Sequence, residues 1–145
     1  MRLSVVLDTH ILIAFLRGSL AGGGRPDSLL GVLRAAEDDG GLLLSAATFW
    51  EIELIRRNPR NDLRALPPTD ALISSLRSKG ITIVPISPEL AVQAVCLLDD
   101  GFHKDPMDQF ITATAIRQDS ILATKDQAIR QWATKTGKPH LAPID

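Results

Sequence analysis

Five carboxylates stand where their neighbours give them chemical use. Asp8 closes the apolar run Leu3-Ser4-Val5-Val6-Leu7, Asp105 and Asp108 flank Pro106-Met107, Asp126 follows the short run Ser120–Thr124, and Glu51 lies within Ala46–Arg57. On a helical wheel Ala47, Trp50, Leu54 and Ile55 form an apolar stripe with Glu51 in its middle, so the sequence predicts a glutamate aimed at the core, while Glu53 points away. An unpaired buried carboxylate is costly unless neutralised or coordinated. A hard divalent cation does this economically, because Mg²⁺ prefers oxygen and needs only a few carboxylates beside substrate phosphates. The chain has one cysteine, Cys96, and three scattered histidines, His10, His103 and His140, which favours Mg²⁺ or Mn²⁺ over zinc. Acids of this kind without a nucleophile triad suit metal-dependent phosphodiester hydrolysis.

Each acid also has a plainer reading. Asp105 precedes Pro106 and taken alone is best read as a helix N-cap, with Asp108 completing a capping box or complementing the helix dipole. Asp126 reads equally well as a cap, and Asp8 as an ordinary turn carboxylate beside Thr9. Glu51 resists these explanations, although a neutral or Arg-paired buried glutamate stays open. The metal hypothesis rests on the set.

The elements that must position these acids follow from patterning. The chain has 145 residues, 45% hydrophobic and 23% charged, which predicts one domain spanning 1–145. Its net charge of −1 excludes a generally basic nucleic-acid-coating protein, though not a local basic patch. Strands are expected at Leu3–Leu7, Leu42–Ser45, Ile81–Pro85 and Ser120–Thr124, with helices between them and Ser87 capping a helix that starts at Pro88. A short edge strand is expected in the tail, and Gly18–Pro26 reads as a mobile loop. Alternating strands and helices predict an α/β fold, a three-layer αβα sandwich with a mainly parallel sheet. Such sheets bind ligands beyond the carboxyl ends of their strands, where Asp8 and Asp126 fall. Cys96 is expected buried on an apolar helix, and Phe49 and Trp50 in core or interface. The longest apolar stretch, Leu3–Leu16, contains Asp8 and His10 and is too short to span a bilayer. With no export signal at its start, the chain is expected in the cytoplasm and off the membrane.

Four segments occur in a telling order: Val5-Val6-Leu7-Asp8-Thr9-His10, Ser45-Ala46-Ala47-Thr48-Phe49-Trp50-Glu51-Ile52, His103-Lys104-Asp105-Pro106-Met107-Asp108-Gln109 and Ala123-Thr124-Lys125-Asp126. Together they resemble a PIN-domain ribonuclease of the VapC toxin type, over Leu3 to about Trp132. The resemblance implies the αβα PIN fold, a Mg²⁺ or Mn²⁺ cofactor, and cleavage of single-stranded RNA by metal-activated water. It matches Asp8, Glu51 and Asp108 to the three family acids of the metal site and Asp126 to a fourth, more variable one. Thr124 matches a position that supports a metal-bound water, and Asp105 and Thr9 stand beside these as secondary site residues. Met107 and Gln109 depart from the usual H-x-D-P-F-D-R, and Gln109 removes a charge. The resemblance further implies a cognate antitoxin whose C-terminal segment blocks the acidic groove, and homodimerisation.

A candidate RNA surface lies just beyond the Glu51 helix, where Arg56, Arg57, Arg60 and Arg64 cluster, with Arg25 near the glycine-rich loop placed to close over substrate. The alternative is a solvated helix end. His103 is expected to brace the loop before Asp105. Two rival functions remain in view. A phosphoacceptor receiver-like domain needs paired acids after the first strand and an aspartate after the third, and the chain offers a lone Asp8 and no acid at Ile81–Pro85. A catalytically silent RNA- or partner-binding module of the same fold is disfavoured by the retained acids.

Overall fold

The computed structural model describes residues 2–144. Four parallel strands, β1 (Val5–Leu7), β2 (Leu42–Ser45), β3 (Thr82–Val84) and β4 (Ile121–Ala123), form one sheet in the order β3-β2-β1-β4. Between and around them run α1 (Thr9–Arg17), α2 (Leu29–Asp38), α3 (Ala47–Arg56), α4 (Thr69–Ser78), α5 (Pro88–Cys96), α6 (Pro106–Arg117) and α7 (Gln127–Thr136). A 3₁₀ turn at Leu97–Asp100 extends α5.

The three layers follow from the period of two along each strand. Val5 and Leu7 of β1, with Leu42 and Leu44 of β2, face a core closed by Leu12, Leu33, Phe49, Ile52 and Leu76 from α1 to α4. Val6 and Leu43 face the opposite way, into a core closed by Leu90, Ile111 and Ile129 from α5 to α7. The central strands are therefore apolar on both sides, as parallel sheets covered by helices require. β3 is an edge strand and is only partly buried. The edge strand expected in the tail is a single bridge: Leu122 N donates to His140 O at 2.8 Å and Ala142 N to Leu122 O at 2.9 Å.

Local signals placed most boundaries. Ser87 Oγ accepts from Leu90 N at 3.1 Å with Pro88 at the first helical position. Ser28 caps α2 by accepting from Gly31 N and donates its hydroxyl to Arg25 O at 2.7 Å, which closes the glycine-rich connection against the helix. Gly31 is required there, since a Cβ would lie 2.2 Å from Arg25 O.

Two expectations need correction. Cys96 is exposed, because α5 turns Leu90 and Ala94 inward and Val92, Val95 and Cys96 outward. The apolar stripe assigned to α3 is also misplaced: Trp50 is 63% and Leu54 54% exposed, whereas Thr48, Phe49 and Ile52 are buried. Thr48, outside the predicted stripe, lies wholly inside, with its Oγ1 accepting from Thr9 Oγ1 at 3.4 Å. That shifts the buried face, so Glu51 stands half-buried at its flank rather than in the core.

Candidate metal centre

Three helices begin next to one another beyond the carboxyl edge of the sheet, and each is capped by an aspartate. Asp8 follows β1 and caps α1, its Oδ1 accepting from Thr9 N at 2.7 Å. Asp105 caps α6, with Oδ1 accepting from Met107 N at 2.9 Å and Asp108 N at 3.3 Å. Asp126 follows β4 and caps α7 through Oδ1 and Ile129 N at 2.9 Å. The cap readings of Asp105 and Asp126 hold, Asp8 caps where a turn carboxylate was expected, and Asp108 turns to His103 rather than closing a capping box; capping does not compete with a site. An ionised carboxylate offers about four lone-pair positions, and a single cap bond consumes one.

β1 and β4 are neighbours in the sheet, which brings Asp8 and Thr124 together across 116 positions of sequence. Thr124 Oγ1 donates to Asp8 Oδ2 at 2.7 Å and accepts from Asp126 N at 3.1 Å, so one hydroxyl ties the first and last acids. Thr9 is buried and reaches Thr48 of α3. That contact fixes α1 against the helix that carries Glu51.

Asp108 sits one turn inside α6 and faces the same place. Its Oδ2 lies 2.6 Å from His103 Nε2, and one ligand atom each from His103, Asp108 and Asp126 fall within 4.8 Å of one another. The His103 ring stacks on Phe102 at 4.3 Å between centroids. Gln109 is buried and donates from Nε2 to His103 O at 3.1 Å, so the residue that departs from the family pattern clamps the loop bearing His103. His103 is therefore both the expected brace and a member of the cluster. Its place five residues before Asp108, ahead of a proline-started helix, was the available signal.

The electrostatics describe a crowd of acids. Burial pushes the Asp108 carboxyl up to about 6; the His103 hydrogen bond pulls it down, while Asp105, Asp126 and Asp8 push it further up. Burial also raises Asp8, with the bonds from Thr124 and Thr9 opposing and the Glu51 charge adding to the rise. Asp8, Glu51, Asp105, Asp108 and Asp126 thus share one electrostatic neighbourhood. Three arginines are engaged elsewhere. Arg130 donates to the carbonyls of Thr124 and Ala142, Arg57 pairs with Glu53, and Arg64 binds Asp62 through two nitrogens. Two carboxylates and the His103 imidazole, with further acids around them, make a mixed oxygen and nitrogen donor set that fits a divalent cation, and His103 is not apart from the acids as the sequence suggested.

Of the predicted arginine surface, Arg56, Arg57 and Arg64 line one groove between α3 and α4, which Glu53 and Asp70 share, and Arg56 also donates to the carbonyls of Leu63 and Pro67. Arg60 lines a separate hollow with His10 and Arg17, and Arg25 lies on the α1–α2 connection.

A family model for the PIN domain matches residues 5–135. The chain belongs to the PIN domain family. PIN domains are generally nucleases, and the matched span contains all five acids. Among the solved structures with a similar fold are the following two. A toxin–antitoxin complex from Klebsiella pneumoniae is 23% identical, with a TM-score of 0.53, over 85% of this chain and 87% of that one. A structure of FitAB bound to an IR36 DNA fragment is 19% identical, with a TM-score of 0.61, over 94% and 92% of the two chains. No curated protein matches the chain. No helix among the described residues is long and apolar enough to cross a membrane.

Proposed function

We propose that this PIN domain is a Mg²⁺- or Mn²⁺-dependent endoribonuclease of the VapC toxin type that cleaves single-stranded RNA. The observation that carries this reading is the meeting of Asp108, Asp126 and His103 within 4.8 Å, in the electrostatic field of Asp8 and Asp105, with Glu51 acting in turn on Asp8. Asp8, Glu51, Asp108 and Asp126 would hold the cation, with Asp105 and Thr9 supporting the helix starts. A bound divalent ion supplies an acidified water and offsets charge on the phosphoryl oxygens.

The chain's own residues do the positioning. Thr124 keeps Asp8 and Asp126 in register, Gln109 fixes the His103 loop, and His103 orients Asp108. The groove on the far side of α3 offers Arg57 and Arg64 to the phosphate backbone.

The structural neighbours support a protein antitoxin as partner, since one is a toxin–antitoxin complex. Homodimerisation and a cytoplasmic location accompany the same reading.

Incubation of purified protein with single-stranded RNA and Mn²⁺ tests the activity. Cleavage is expected, abolished by chelator and by Asp108→Asn, with the variant melting cooperatively at or above the temperature of the metal-free parent. Cleavage by Asp108→Asn at the parent rate, or cleavage unaffected by chelator, sinks the assignment.

A further inference from the structure

The turn between β4 and α7 carries Asp126 with little packing to hold it. Lys125, Asp126 and Gln127 are exposed in succession, whereas Thr124 before them is wholly buried. An acid on such a turn is placed by polar bonds, since neither flanking side chain is buried. Thr124 Oγ1 supplies one, accepting from Asp126 N at 3.1 Å. Another comes from further along α7. Arg130, six residues after Thr124, folds back over the first turn of the helix and donates from Nη1 to Thr124 O at 2.7 Å. Its second arm, Nη2, donates to Ala142 O at 3.2 Å. Ala142 is 1% exposed and belongs to the tail that pairs with edge strand β4, its N donating to Leu122 O at 2.9 Å. One partly buried fork thus spans two backbone carbonyls, one in the turn and one in the docked tail. A planar guanidinium holds two acceptors in fixed geometry, which an ammonium on a flexible stem does not.

Resting on the reading of Asp126 as a cation ligand, we propose that Arg130 is its positioning residue: by clamping Thr124 O against the docked tail, it fixes the turn that aims the Asp126 carboxylate at Asp108 and His103. Those three side chains offer ligand atoms within 4.8 Å of one another. The two effects that Arg130 could have on a cation carry opposite signs. Taken as a charge alone, a guanidinium near the acids repels the ion, and removing it tightens binding. Taken as a clamp, removing it loosens Asp126 and weakens binding, and partners that orient metal ligands are worth about 10–100-fold in affinity. The direction of the change separates the two.

Calorimetry with Mn²⁺ alone reads that direction. Arg130→Met, which keeps the stem and removes the fork, is expected to weaken binding about tenfold or more. Arg130→Lys, which keeps the charge and one reach of the fork, recovers part of the loss. Amide exchange in Arg130→Met is expected to quicken at Asp126 and Ile129, whose N–H groups donate to Thr124 Oγ1 and Asp126 Oδ1. Asp126→Asn weakens Mn²⁺ binding by itself, and adding Arg130→Met costs little more, because two residues acting through one carboxylate do not add. Equal or tighter binding in Arg130→Met, unchanged exchange at those amides, or fully additive losses overturns the proposal and leaves the metal reading standing. Undiminished binding in Asp126→Asn removes Asp126 from the ligand set and overturns the proposal with it. A parent chain that binds no Mn²⁺ overturns the metal reading and the proposal together. Melting in chelator checks that each variant folds. Should Arg130→Met not melt cooperatively, Arg130→Lys carries the comparison, with weaker binding than the parent expected and unchanged binding overturning the proposal.

Discussion

Asp108 shows what it costs to gather acids without a counter-charge. Its carboxyl is half-buried among Asp8, Asp105 and Asp126, and His103 gives the one hydrogen bond that pulls its pKa down. With the pKa raised from 3.8 to about 6, the folded metal-free chain binds this proton more tightly than the unfolded chain. Stability from this group is therefore fully present below the unfolded value and lost as pH rises through about 6. Melting in chelator should show that loss, and Asp108→Asn should flatten it. Metal binding runs with the opposite sign, since ligation requires the carboxylate. Affinity for Mn²⁺, measured by calorimetry, is expected to fall as pH drops through about 6 and to level off above it. A pH-independent affinity between 5 and 7, values about one unit either side of that pKa, would remove Asp108 from the ligand set.

Helix starts do most of the positioning at the level of elements. Asp8, Asp105 and Asp126 each satisfy orphan amides at the head of a helix, and the same geometry fixes where their remaining lone pairs point. In the proposed site, capping and ligation by Asp8 and Asp126 would be two uses of one orientation. The connection before α2 illustrates a tighter constraint. Gly31 lies against the Arg25 carbonyl, and a methyl group there would meet it at 2.2 Å and Pro26 Cα at 2.9 Å. Both obstacles are backbone, so Gly31→Ala must displace the loop or the helix. We expect it to destabilise the protein by about 1–3 kcal/mol, in spite of alanine's better helix propensity. Chemical denaturation measures this, and a neutral or stabilising result would contradict the close approach.

At the scale of the whole molecule, the parallel sheet gathers acids that chain order scatters from position 8 to position 126. Repulsion among them is a cost of the folded state that the proposed cation would offset. Divalent ion at a hundredfold excess over its Kd should therefore stabilise the protein by about 2.7 kcal/mol, a rise in Tm on the order of 5–10 °C. Thermal scans with Mn²⁺ against chelator measure the shift, and Asp108→Asn should reduce it. An equal rise in that variant would place the binding elsewhere.

Much of this was legible in the amino-acid order because its causes are local. The β-branched run ending at Asp8, the Ser87-Pro88 start of α5 and the Asp105-Pro106 start of α6 act through neighbouring residues, and each stands where patterning put it. The motif segments identified the family for the same reason. What the wheel could not supply was the partner of each face. Glu51 was expected inside and Trp50 beside it, yet a buried Thr48–Thr9 contact rotates that burial, leaving Glu51 on a flank and Trp50 in solvent. Cys96 was misjudged likewise, since α5 is apolar on both sides and only the sheet beneath it decides which side is covered. Residue types and spacing determine which elements form and which acids head them. The neighbours across the sheet and between helices decide which side chains meet, because burial and charge coupling depend on distances that chain order does not contain.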